Sequence, residues 1–166
     1  MYDTLVPQFT KMLGNLNSIL DKGAQYADAK KFQPEVLLNS RLAPDQFTMM
    51  RQIQIACDTA KLACARLTGV EAPAFDDKET TLPEIKERIA NTVKYLQSLK
   101  PAHFENAKNK QITNPRWEGK HMMGEDYVLE HAIPNFYFHV TTAYAILRHN
   151  GVDIGKKDFL GTLSLK

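Results

Sequence analysis

The chain lacks any run of eighteen apolar residues, and it lacks a glycine-rich phosphate loop and the C-x-x-C, H-E-x-x-H and G-x-S-x-G motifs. It also has no histidine before position 103. Each absence removes a class of function. Without a long apolar run no segment reads as a membrane span. The first twenty residues form an amphipathic pattern with neither a cationic leader nor an A-x-A cleavage site, so the expected location is the cytoplasm. Without the motifs, phosphate-cradle, dithiol, zincin and nucleophile-elbow mechanisms have no support. Charge of one sign is also scarce. The formal net charge of +2 is spread over interspersed acids and bases, so neither nucleic acid nor an anionic membrane is an expected partner.

What is present suits one soluble domain. A chain of 166 residues, 43% hydrophobic and 24% charged, is long enough to bury a sizeable core. The two cysteines, Cys57 and Cys64, stand seven apart in one helical stretch, which separates their Cα atoms by ~10 Å and forbids a bond between them. They read as small core hydrophobes in a reducing compartment.

Apolar residues recur at three and four residue steps in four places. Leu5, Phe9, Met12, Leu16 and Ile19 predict a first helix over 2–22, with Gly23 as its stop. A long connection containing Pro34 and Pro44 follows, with room for one short helical turn. Pro44 and Asp45 then open a second helix over 44–68, striped by Met50, Ile53, Cys57, Ala60, Cys64 and Leu67 and ended by Gly69. On its flank Gln54, Asp58 and Lys61 fall together, placed to meet polar groups of another helix. The capping box Thr81-Leu-Pro-Glu84 begins a third helix over 82–99 that stops before Pro101. Residues 102–132 lose the period and read as an irregular excursion, with a short hairpin around Asn114-Pro115. PNFYFHVTTAYAILRHNG supplies the fourth helix, with Pro134 in its first turn and Gly151 at its end. The tail after Gly151 reads as an ordered extension docked on the bundle. Four amphipathic helices with long connections make an all-α four-helix bundle, and sites in bundles are built between facing helices.

The histidines are the residues left to carry chemistry. His103 and His121 lie in polar, irregular segments, and His149 suits the free carbonyls of a helix end. His131, Asn135 and His139 are spaced four and four, but a residue preceding proline is pushed out of the α region, so Ile133 is expected to be extended and His131 to precede the helix. Asn135 and His139 remain as an i, i+4 pair beside the apolar stripe, and His131 is a fourth candidate that enters the site if the chain folds back over helix four.

Three blocks, RLAPDQF, QIQIACDTAK with ARLTG, and PNFYFHVTTAYAILRHNGVDIGKKDFLG, resemble a family of unknown function within the DinB/YfiT-like superfamily. The resemblance covers essentially the whole chain. It implies a DinB-like four-helix bundle, commonly a homodimer, whose better-known relatives bind a divalent metal through three histidines. One of those comes from the second helix and two from an H-x-x-x-H pair on the fourth, and some relatives transfer low-molecular-weight thiols. By position His139 matches the second histidine of the pair, Asn135 stands where the first would be, and the second-helix histidine falls near Gln54.

Two readings follow. In the first, a polar pocket between helices two and four, lined by Gln54, Asp58, Asn135 and His139, binds a small molecule or serves structure without the three-histidine site, and His139 bonds Asp58 or Gln54. In the second, His139 and Asp58 hold zinc or nickel in a hydrolase or thiol transferase, with Tyr144 or Arg148 assisting the substrate. Two neutral amides and one imidazole bind such ions more weakly than three imidazoles do.

Overall fold

The computed structural model of the chain describes residues 1–166. Four long helices carry the fold: α1 (Tyr2–Lys30), α3 (Met49–Thr68), α4 (Leu82–Ser98) and α6 (Ile133–His149). The short α2 (Glu35–Leu38) lies in the first connection, α5 (Gly124–Asp126) precedes α6, and α7 (Lys156–Leu160) closes the chain. Helix α3 packs on α4 and α6, and α1 packs on α4 and α6, so the four form a closed square around one apolar core. Leu5, Phe9, Leu16, Ile53, Ile85 and Phe136 lie at its centre with almost no exposure. The stripes read from the sequence are the buried faces of these helices, because apolar side chains at three and four residue steps are removed from water together. No helix is long and apolar enough to cross a membrane.

The helix ends show where local signals hold and where packing overrides them. Thr81 and Glu84 form the expected capping box, and Gly69 closes α3 in the left-handed region at φ 81°. Helix α1 does not stop at Gly23. It continues to Lys30 and is closed by Lys31 at φ 62°. Gly23 has a packing reason instead: a Cβ there would meet the Leu147 side chain at 3.3 Å, so glycine lets α1 approach α6. Helix α3 likewise starts at Met49 rather than Pro44. Thr48 is its cap, accepting from the Arg51 N–H at 3.4 Å, while the Met49 N–H donates to the Ser40 carbonyl.

Residues 101–123 form the expected irregular excursion. Strands β1 (Gln111–Thr113) and β2 (His121–Met123) pair antiparallel, Ile112 opposite Met122, around a 3₁₀ turn at Pro115–Trp117. The continuation differs from the expectation. Gly124 to Ala132 is helical, and Tyr127–Ala132 is a π-helical segment that runs directly into α6. Ile133 is therefore α-helical at φ −66° and ψ −52°, although it precedes Pro134. The π turn widens the backbone just ahead of the proline, relieving the clash that a ring makes with the preceding α turn. The tail docks as expected: Lys22 pairs with Asp158 at 2.6 Å, Asn15 donates to the Phe159 carbonyl, and Tyr144 meets Phe159 edge-on.

Candidate functional site

A pocket of about 500 Å³ opens along the outer edge of the α3–α6 interface, within the size range of small-molecule sites. Helix α3 lines it with Arg51, Ile55, Asp58, Thr59, Leu62 and Arg66, a second helical stripe turned away from the core. Opposite stand Tyr127, His131, Asn135 and His139. These four are spaced by four residues, and in an ordinary α-helix each such step would drift by about 40°. The π segment has more than four residues per turn, so its step from Tyr127 to His131 drifts the other way and the stripe stays on one side. The excursion covers the third side through Asn114 and the Pro115–Trp117 turn, and Phe47 stands at the mouth.

Each polar group can be traced. Gln52 Nε2 donates to the Phe47 carbonyl, which fixes the amide with its oxygen toward His139, and that oxygen lies 2.6 Å from His139 Nδ1. An amide oxygen only accepts, so Nδ1 carries the proton and Nε2 the lone pair. His139 is 7% exposed. Burial, reinforced by the Arg51 charge, holds its pKa down at about 4. Asn135 Nδ2 donates to Thr59 Oγ1 at 2.8 Å. Arg66 Nη1 donates to the Tyr127 hydroxyl at 3.0 Å, and Tyr127 stacks on His131 with ring centroids 5.3 Å apart. The Trp117 ring meets His131 and Tyr127 edge-on, at 5.5 and 6.0 Å. Burial, then the Arg66 charge, lowers the His131 pKa, and its buried Nδ1 has no hydrogen-bond partner within the chain.

The residues expected at the site separate into three groups. Asn135, His139 and Asp58 line the pocket. Gln54 faces the other flank of α3, where it accepts from Arg51 and donates to Glu79. The partner of His139 is accordingly Gln52, one helical position from the core stripe, and neither Asp58 nor Gln54. Tyr144 and Arg148 lie away from the pocket, Tyr144 against Phe159 and Arg148 reaching the Val152 carbonyl, because they stand about one and a half and two and a half helical turns beyond His139. His131, the fourth candidate, enters the site, but from a π-helical segment continuous with α6 and not from a chain folded back over it. Arg51, Gln52, Thr59, Arg66, Trp117 and Tyr127 complete it without having been expected. The apolar Ile55 and Leu62, off the core stripe between Arg51 and Arg66, were the signal available in the sequence for them.

The flank that carries Gln54, Asp58 and Lys61 meets polar groups of another helix as the spacing predicts, but that helix is α4. Arg88, with a side chain 1% exposed, pairs with Asp58 at 2.8 Å, Asp77 at 2.7 Å and Glu79 at 3.0 Å. Lys61 pairs with Asp58 at 3.2 Å and donates to the Pro73 carbonyl. The Phe75 ring receives both cations, Lys61 at 4.1 Å and Arg88 at 4.6 Å. This network straps the 69–81 connection onto α3 and α4.

A divalent metal does not fit the residues present. No three His, Cys, Asp or Glu side chains converge. Gln54 is committed to Arg51 and Glu79, and Asp58 to Arg88 and Lys61, while the Arg51 guanidinium places a positive charge close to the one imidazole of the resembled triad. The cysteines are no substitute: both are buried in the core, with thiols that burial pushes up to about 12.

Comparison with known proteins agrees with the fold. The curated proteins include no match. A crystal structure of a DinB family member protein from Shewanella denitrificans superposes with a TM-score of 0.96 at 57% sequence identity, covering 99% of this chain and 94% of that one. The family described as Domain of unknown function (DUF1993) matches residues 1–160. A continuous bundle with its loops, excursion and docked tail is thus shared along nearly the full length, and the chain belongs to this DUF1993 family of DinB-like proteins.

Proposed function

We propose that the chain is a small-molecule-binding bundle whose pocket between α3 and α6 works without a divalent metal. The observation that carries this reading is the pairing of His139 Nδ1 with Gln52 beside the Arg51 charge. A histidine so placed is neutral near pH 7, is held rigidly, and sits where a cation already stands. A pKa of about 4 also leaves its Nε2 a weak base at neutral pH, poorly matched to proton abstraction. It is better suited to accept a hydrogen bond from a bound molecule. The size of the pocket and its mixed wall of aromatic rings and a few directed polar groups support binding of a small organic ligand.

The test is the metal content of untagged protein by elemental analysis, repeated on His139→Ala. Far less than one zinc or nickel per chain is expected in both samples. Near-stoichiometric metal that disappears with His139→Ala overturns the reading.

A further inference from the structure

The pocket wall is unbalanced in charge. Three arginines line it, Arg51, Arg66 and Arg116, against the single carboxylate of Asp58. That carboxylate is already shared by Arg88 and Lys61. Arg51 is paired with Asp77. Arg66 is half-buried and has no acidic partner; its one hydrogen bond within the chain goes to the neutral Tyr127 hydroxyl. Arg116 is exposed at the mouth, beside Trp117 on the same turn, and it too has no acidic partner. A partly desolvated guanidinium with unused donors, set in a fixed direction by a phenol, is the feature that recognises a carboxylate or phosphate. Its field is felt locally, since it helps keep the adjacent His131 uncharged. The wall beside it is partly apolar: the Trp117 ring stands edge-on to the buried Tyr127 ring, and Leu62 is exposed on α3.

We infer that the pocket takes a small organic anion carrying a planar ring, with the anionic group on Arg66 and Arg116 and the ring against Trp117. This inference rests on the binding-site reading above and names the class of ligand. Arg66 serves as the inner anchor and Arg116 as the outer one. His139 lines the same pocket with its Nδ1 held by Gln52, which leaves Nε2 as an additional polar position for a hydroxyl on the ring. Carboxylate and phosphate share this chemistry, and the probes below separate them.

Trp117 is the only tryptophan in the chain and stands in the pocket wall, so its fluorescence reports binding without a label. The experiment titrates benzoate, 4-hydroxybenzoate and phenyl phosphate into the full chain, with benzamide as the neutral probe of the same shape. Saturable change is expected with at least one anion, at an affinity tenfold or more above that of benzamide, and the better of the carboxylates and the phosphate identifies the group. Arg66→Met is expected to weaken that anion at least tenfold, with Arg66→Lys recovering part of the loss. Arg116→Met, at an exposed position, is expected to weaken it several-fold, while Lys94→Met on the exposed face of α4, a helix that contributes no residue to the pocket, leaves it unchanged. Benzamide binding as tightly as the anions, or anion binding indifferent to both pocket arginines, overturns the ligand class and leaves the pocket standing as a binding site. Absence of saturable binding by all four probes overturns both.

Discussion

Two polar flanks run side by side along α3, and they resolve their charges differently. On the α4 side every charged group has an opposite: Arg88 with Asp58, Asp77 and Glu79, Lys61 with Asp58, Arg51 with Asp77, and both Arg88 and Lys61 against the Phe75 ring. On the α6 side the histidines are neutral and two arginines have no acid. The same residue types therefore do structural work on one flank and leave recognition capacity on the other. Pairing of charge separates the two: three carboxylates surround Arg88, although its Nε has no hydrogen-bond partner, whereas guanidinium donors without an acid at a pocket wall are available to a ligand.

The comparison can be broken most severely at Arg88. Replacing it with methionine leaves Asp58, Asp77 and Glu79 without their shared cation, and removing one partner of a buried ion network costs about 3–5 kcal/mol. Urea denaturation of Arg88→Met is expected to show a loss of that order, with anion affinity at the pocket little changed in the folded fraction. A loss below about 1 kcal/mol would mean that the α4 flank is no more structural than the α6 flank. The next effect comes from His139. Its folded pKa of about 4 lies below the ordinary histidine value, so the unfolded chain binds more protons between about pH 4 and pH 6.5. Stability should accordingly rise with pH across that window and level off above it. The contribution is on the order of 2–3 kcal/mol, measured as the pH 4.5 to pH 7.5 difference in unfolding free energy that His139→Gln removes. An identical pH profile in the variant would show that His139 titrates normally.

Arg66→Met inverts the Arg88 result. It removes one hydrogen bond to Tyr127, so stability is expected to fall by only about 1 kcal/mol, while anion affinity falls at least tenfold. Chemical denaturation and Trp117 titration on the same sample compare the two directly. The smallest effect belongs to Lys78, whose pair with Asp76 is largely exposed on both sides. Lys78→Ala is expected to change stability by less than about 0.5 kcal/mol, which shows that proximity to the strapped loop is not enough without burial.

Much of the fold was legible, because a buried stripe is written locally. The stripes of α1, α3, α4 and α6, the Thr81–Glu84 box and the Gly69 cap are the same in sequence and structure. Three ends were not, each decided by a distant contact: Gly23 by Leu147, the start of α3 by the Thr48 cap and Ser40, and the start of α6 by the π segment. The site was half legible for a related reason. The spacing of Gln54, Asp58 and Lys61 defines a polar flank, but the rotation of α3 within the bundle decides whether α4 or α6 meets it. Tyr144 and Arg148 share a helix with His139, yet they lie toward the far end of the square. Trp117 and Arg116 reach the pocket from a turn whose position depends on how the excursion folds back. There the packing is close enough that a Cβ on Gly124 would lie 1.8 Å from the Ala107 carbonyl oxygen.

The π segment gives the pocket a phase as well as a wall. Each residue added to or removed from a helix turns everything beyond it by about 100°. Deleting one residue between Tyr127 and His131 would keep every pocket side chain chemically intact and still swing Tyr127, and the β1–β2 hairpin joined to it through Gly124, around the axis of α6. The arginine anchor on α3 would remain where it is while its phenol and its tryptophan wall moved off. Assembly of the pocket therefore depends on residue count in this one turn, so a single deletion there would act on binding as a change of register.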